Sequence, residues 1–378
     1  MSKYLNDVLF VYGNGRTEKL NSENQNFGRE FFYGYDYLVS LGLNTEILEQ
    51  TKVNSYKFTM QILKYFDNKL SRITKLTFAM TSLLDFENLK KLYYSKNIIT
   101  SNHGLGSSIL FPVLIFKLFK KINFIVIVSG LFNLQKTNSI VNFFRSIVFL
   151  IYLKTVNYII FTNRSEYELA LKKFNKFSEK FVCIPFCIDT NFWSNGEIYN
   201  PEENDYVMFI GNNGHRKFKL MTEIASLLPD INFVFITNQI QQSDILSNNV
   251  KLIRGDWNAS YLSDSQIRDY YVKARLVILP INNTIVSSGQ SVGLQAAALG
   301  IPLLISKTIG FWDYKNYVDM KNVLFVDSED AKFWADKLES YYYNFKILKE
   351  ISSNSKGLIN DKYKLENFDI ELAKLLVK

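Results

Sequence analysis

Short apolar runs recur along the chain, separated by longer segments in which apolar positions return every three or four residues. The first run, Val8 to Tyr12, meets the turn Gly13-Asn14-Gly15 and reads as a buried strand. Arg16 to Asn26 is polar and reads as a loop. From Gly28 to Leu41, Phe31, Tyr35, Leu38 and Val39 fall on one side of a predicted helix, ended by Gly42 before a strand at Asn44 to Leu48. That is one βαβ unit. The alternation goes on, with helices predicted over Tyr56–Lys69, Ser107–Lys121, Ser139–Lys154 and Arg164–Phe174. Strands are predicted over Asn97–Ser101, Phe124–Val128, Tyr158–Thr162 and Phe181–Pro185. Pro112 falls near the first turn of its helix, where proline is tolerated.

Asn191 to Asp205 breaks the pattern. It is polar and acidic, with Pro201 and Gly196 inside it, and reads as a linker. Strands are then predicted over Tyr206–Ile210, Asn232–Thr237, Val250–Ile253, Leu276–Leu279, Leu303–Ile305 and Asn322–Val326. Helices are predicted over Leu220–Leu228 and Asp264–Lys273, and over a third segment, capped by Asp327 and Ser328, that runs to about Tyr342. The predicted class is α/β, with two parallel-sheet domains facing a cleft. Residues 1–190 form the first domain, 191–205 the linker and 206–359 the second domain. A last helix within 360–378 follows.

Composition narrows the class. The 378 residues are 47% hydrophobic and 15% aromatic, enough for two full cores. The formal charge is +8, which suits a phosphorylated ligand, an anionic membrane or a nucleic acid. Scattered lysines disfavour nucleic acid. Cys183 and Cys187, with two histidines in all, support neither a disulfide framework nor a metal site. They fit apolar strand ends in a reducing cytoplasm. No secretory signal and no bilayer-spanning run is visible. Ser139 to Lys154 is apolar nearly all round, and Phe111 to Lys121 mixes apolar residues with lysines. Either these helices flank the sheet buried, or they present a monotopic membrane surface.

The candidate chemistry concentrates at strand ends. From Ser287 to Thr308 the order is glycine turn, short helix with Ala296, Ala297 and Ala298, Gly300-Ile301-Pro302, and apolar strand. A helix beginning at Gly289 aims the N–H groups of Gln290, Ser291 and Val292 at an anion. Arg216 and Lys217, in the loop after Tyr206–Ile210, can bind a diphosphate. Gln295 can bond a ribose hydroxyl. His103, after a strand and before Gly104, can reach a sugar hydroxyl or leaving phosphate, and Gly13, Gly15 and Gly28 frame the first strand's loop. No Gly-x-Gly-x-x-Gly follows the first strand and no Walker lysine is present, which disfavours dinucleotide redox chemistry and a P-loop. With no Asp-x-Asp at a strand end, cations and helix dipole must stabilise a leaving diphosphate without metal.

These residues resemble the GT-B glycosyltransferases, of the retaining family 4 type, along essentially the whole chain. Gly289 to Ser306 is similar to that family's Gly-Leu-x-x-x-Glu-Ala-Met-Ala-x-Gly-x-Pro-Val segment. Phe161 to Glu166 and Ile184 to Phe192 are similar to the signature closing its first domain, and Gly28-Arg29-Glu30 to its first glycine loop. The resemblance implies two Rossmann-like domains, the second holding a nucleotide-sugar donor and the first an acceptor, with the last helix packing back on the first. It implies His103 as the catalytic histidine near the donor sugar, and Lys217 with Arg216 at the diphosphate. Gly28, Gly289, Gln290, Ser291, Val292 and Gln295 complete the implied donor site. Ser287 and Gln295 fall on the two acids of the family's Glu-x₇-Glu, and Cys187 replaces a glycine. Donor-sugar contacts therefore depart from the pattern. The expected activity is metal-independent transfer of a sugar to a glycan or lipid-linked glycan in surface polysaccharide synthesis, needing no cofactor. The expected location is the cytoplasm, at the inner face of the membrane. A non-catalytic sugar-nucleotide-binding protein and a GT-B-fold sugar-nucleotide epimerase are the alternatives.

Overall fold

Runs such as Val8–Tyr12 and Phe124–Val128 are buried over their whole length, as parallel strands covered on both faces must be. A computed structural model describes residues 4–22, 26–51, 58–132, 138–194, 196, 198–255 and 262–377. The start of the helix expected from Tyr56, residues 23–25, and Asn195 and Glu197 of the polar stretch lie outside these. The chain divides into two compact units, one of Met1–Gln25, Phe32–Ile184 and Phe368–Lys378, the other of Asn26–Phe31 and Pro185–Asn367.

The first unit holds strands β1 (Asn6–Tyr12), β2 (Thr45–Glu49), β3 (Ser95–Thr100), β4 (Asn123–Val128), β5 (Tyr158–Phe161) and β6 (Phe181–Cys183). They form one parallel sheet in the order β2-β1-β3-β4-β5-β6. Between them run α1 (Arg16–Asn21), α2 (Tyr35–Ser40), α3 (Phe58–Thr74), α4 (Phe86–Tyr94), α5 (His103–Phe116), α6 (Ser139–Thr155) and α7 (Arg164–Lys173). The order reverses between β1 and β3, so the loops leaving these strands, Gly13–Gly15 and Ser101–His103, stand side by side at the carboxyl edge, where open α/β sheets bind ligands.

The second unit repeats the plan. Strands β7 (Tyr206–Ile210), β8 (Asn232–Ile236), β9 (Val250–Ile253), β10 (Ala274–Leu279), β11 (Leu303–Ser306) and β12 (Leu324–Val326) pair in the parallel order β12-β11-β10-β7-β8-β9. Its helices are α8 (Phe218–Leu227), α9 (Asp264–Val272), α10 (Gln290–Ala298), α11 (Ala331–Tyr342) and α12 (Phe345–Lys362). Here the reversal lies between β7 and β10. The last helix, α13 (Leu365–Lys374), begins in this unit and ends in the first. Asn97 Nδ2 donates to Val377 O at 3.3 Å and Asn123 Nδ2 to Leu375 O at 2.9 Å, tying the tail to β3 and β4.

Several elements differ from the sequence reading. The predicted helix from Gly28 is interrupted, because Tyr33 and Gly34 take positive φ (48° and 87°) and α2 starts only at Tyr35. Arg16–Asn21 is helical although it buries no side chain, since the Glu49 carboxylate accepts from the N–H groups of Arg16 and Thr17. Pro112 sits well inside α5, which starts at His103 rather than Ser107. The cap of α11 is Asp330. The polar stretch 191–205 groups with the second unit, where Tyr199 donates to Arg275 O and Arg275 Nε to Asn204 O. Bonds of this kind to backbone partners tie a polar stretch down, which composition alone does not show.

The apolar helix α6 of the first unit has two faces. On α6, Val148, Phe149, Tyr152 and Leu153 are buried, while Ile140, Phe143, Phe144, Ile147 and Leu150 are exposed. Packed beside it, α3 exposes Ile62, Tyr65 and Phe66. Lys117 and Lys180 donate to carbonyls at the carboxyl end of α6, the end that favours cations. Lys120 is buried among the rings of Tyr4, Tyr93 and Tyr94. Among the described residues no helix is long and apolar enough to cross a membrane.

Candidate functional site

In the second unit the loop leaving β7 folds onto the residues leaving β10. Arg216 bridges to Ile281, Lys217 N donates to Pro280 O at 2.9 Å, and Asn282 N donates to His215 O at 2.8 Å. This pairing turns the Arg216 side chain inward, leaving it 6% exposed. It lies between two glycines with positive φ. A methyl group on Gly211 would stand 3.1 Å from its Nε, and one on Gly289 3.3 Å from its Nη1. Neither Nε nor Nη1 makes a hydrogen bond. Burial lowers the guanidinium to about 10, so it stays charged at neutral pH. A buried cation with unbonded donors is costly unless an anion meets it.

Gly289 also begins α10, at φ 86°, with no side-chain cap. The first turn of the helix, with the N–H groups of Ser291 and Val292, therefore opens without a side-chain cap, next to the guanidinium. Lys217 is placed differently from Arg216. Its ammonium pairs with Glu329 at 2.6 Å, and that bond holds the Glu329 carboxyl below its ordinary range. Ser287 donates to Gly310 O at 2.9 Å.

A hydrogen-bonded polar chain lies within the field of the arginine. Tyr271, fully buried, is electrostatically coupled to Arg216 and to Glu30. Its hydroxyl donates to Gln295 Oε1 at 3.3 Å and Val292 O at 3.4 Å. Gln295, 8% exposed, donates to Glu30 Oε1 at 3.2 Å, and Trp193 Nε1 donates to the same oxygen at 2.9 Å. Burial raises Glu30 to about 7, the hydrogen bonds opposing it and Asp189 adding a little. Gly28 belongs to this group. A β-carbon there would collide with Glu30 Oε2 and crowd the Trp193 indole. Glu30, Trp193 and Tyr271 were not among the residues singled out from the sequence. The signal for Glu30 was its place two residues after Gly28; for Trp193 and Tyr271 there was none, since large aromatics usually mean core.

In the first unit His103 opens α5 at the reversal point of the sheet, behind the N-cap Asn102, whose side chain accepts from Leu105 N at 3.0 Å. Its Nδ1 is buried and makes no hydrogen bond. Burial lowers the imidazole to about 4, so it is neutral at physiological pH. A neutral imidazole can accept a hydrogen bond at one nitrogen and donate from the other. Among the described residues no cluster of metal-ligating side chains occurs.

No family model matches the sequence, and no curated protein matches it. Solved structures do match. Sucrose-phosphate synthase from Thermosynechococcus elongatus superposes with a TM-score of 0.68 at 12% identity, covering 98% of each chain. The fold is GT-B. HepE of Anabaena, solved with UDP and glucose, gives 0.65 at 10% identity over 98% of this chain and 99% of that one. A glycosyltransferase from Rickettsia africae gives 0.62 at 11% identity over 99% and 98%. At these identities the likeness is one of GT-B architecture.

Proposed function

We propose that this GT-B chain is a glycosyltransferase that moves a sugar from a nucleoside-diphosphate donor to a hydroxyl acceptor. The observation that carries the reading is Arg216, a buried guanidinium with unbonded donors, set between Gly211 and Gly289 at the uncapped start of α10. A diphosphate would complete those donors and gain the helix dipole. Gln295, on the same helix, lies beside this site with its amide bonded to Tyr271 and Glu30. Similarity to HepE, solved with UDP-glucose, makes UDP the first base to try.

Departure of the sugar builds negative charge on the diphosphate. Arg216 and the α10 N–H groups are fixed before reaction, so they stabilise that charge without reorganising. This supports a metal-independent transfer. The motif resemblance supports a retaining outcome, in which the leaving diphosphate takes the acceptor proton. His103, neutral and unbonded at Nδ1, is assigned to a hydrogen bond at the reacting sugar. The exposed apolar face of α6 and α3, with Lys64, Lys69 and Arg72 exposed on α3, supports a lipid-linked glycan acceptor and a peripheral place on an anionic membrane.

Titration of UDP, GDP and ADP into the protein and into Arg216→Met tests the reading. Loss of the charged contacts should weaken the best nucleotide by roughly ten- to a hundred-fold. Equal affinities in the two proteins would rule out this loop as the diphosphate site.

A further inference from the structure

Glu30 has no task in the reading above. It is 2% exposed. Its Oε1 accepts from both Trp193 Nε1 and Gln295 Nε2, two buried donors that fix the carboxylate's orientation. Both of these side-chain bonds thus converge on one oxygen. Oε2 is buried, makes no hydrogen bond, and is directed over Gly28, where a side chain would strike it. A buried carboxylate oxygen with no donor is costly, and the protein spends a glycine to leave it uncovered. Through Gln295 the carboxylate connects to the Tyr271 hydroxyl, which lies within electrostatic reach of Arg216. A charged donor without an acceptor thus stands at one end, and an acceptor without a donor at the other. A nucleotide sugar is a diphosphate flanked by hydroxyl-bearing rings, and so offers both missing partners.

Resting on the diphosphate reading of Arg216, we infer that Glu30 Oε2 binds a ring hydroxyl of the nucleotide sugar, with Gln295 and Trp193 as positioning residues. The ring is either the ribose or the transferred sugar. Ionised, above about pH 7, the carboxylate only accepts and so selects hydroxyls.

Calorimetric titration at pH 8.5, where Glu30 is ionised, of the wild type, Glu30→Gln and Glu30→Asp tests the assignment. The probes are the tightest-binding of UDP, GDP and ADP, its glucose conjugate, and pyrophosphate. Glu30→Gln keeps the size and the Oε1 acceptor but puts an amide nitrogen in place of Oε2. It should weaken the hydroxyl-bearing ligand about ten-fold or more, with pyrophosphate affinity unchanged and the melting temperature not lowered. Glu30→Asp keeps the charge, draws the oxygens back by one methylene, and should lose as much. A drop for nucleotide and conjugate alike assigns the ribose; a drop for the conjugate alone assigns the transferred sugar. Unchanged affinities in both variants, or an equal loss for pyrophosphate, would overturn the assignment. Arg216→Met separates this failure from that of the parent reading: if that variant loses the nucleotide while the Glu30 variants do not, only the hydroxyl contact falls. A wild type that binds no nucleotide overturns both.

Discussion

Glu30→Gln should make the unliganded protein more stable, and only at the alkaline side. Burial lifts the Glu30 carboxyl from 4.5 to about 7 in the folded chain. Between those values the folded protein holds a proton that the unfolded chain has released. Wild-type stability therefore falls as pH rises through that window. The full shift corresponds to roughly 3 kcal/mol lost by pH 8, at about 1.4 kcal/mol for each pH unit. Glutamine keeps the Oε1 acceptor for Trp193 and Gln295 and never ionises, so it escapes the loss. Part of the gain is offset, because bonds to a neutral amide are weaker than bonds to a carboxylate. A net gain of about 1–3 kcal/mol at pH 8 should raise the melting temperature of this unit by several degrees, at roughly 2–4 °C per kcal/mol. Near pH 4.5 the two proteins should melt alike. Differential scanning calorimetry of both, stepped from pH 4.5 to 8.5, reads the difference directly. A difference that stays constant across the range, or a variant less stable at pH 8, would show that Glu30 is not carrying a buried charge.

The remaining predictions concern transfer and location. His103→Ala should lower kcat strongly while nucleoside-diphosphate affinity stays near wild type; a destabilised but fully active variant would refute its catalytic role. Since burial holds His103 near 4, the pH–rate profile should show no inflection from it between pH 6 and 8, and an inflection there that disappears in His103→Gln would contradict the neutral imidazole. Activity should survive EDTA, and abolition reversed by Mg²⁺ or Mn²⁺ would refute stabilisation by cation and dipole alone. The protein should float with vesicles rich in anionic lipid and less so after Phe143→Glu with Ile147→Glu; undiminished flotation of the double variant would remove α6 as the contact surface.

Much of the fold was legible because the strands are buried on both faces and so appear as unbroken apolar runs, from Val8–Tyr12 to Leu303–Ile305. The α10 unit was equally plain, since Gly289, the alanines, Gly300 and Pro302 each mark a backbone event. Helix α12 was missed because its inner face carries Ser352 and Ser355 among Leu348, Ile351 and Ile359. Serine is small enough there for α10 to pack closely, yet it blurs the apolar stripe. At the site, Arg216 and Lys217 look equivalent in sequence. Their difference arises from Glu329, which neutralises one, and from the bridge to Ile281, which buries the other. The Glu30–Gln295 contact joins residues 265 positions apart, and no local pattern encodes a pairing of that kind.

The return of the tail to β3 and β4 has a consequence for how the protein is made. Asn97 and Asn123 hold Val377 and Leu375, and Phe368 and Leu372 are buried with the first unit. That unit begins to leave the ribosome first, yet it lacks one of its covering helices until residues 368–377 have been synthesised. Domains usually fold in the order they emerge. Here the second unit can mature while the first waits with part of its surface uncovered, an interval in which a chaperone would find it.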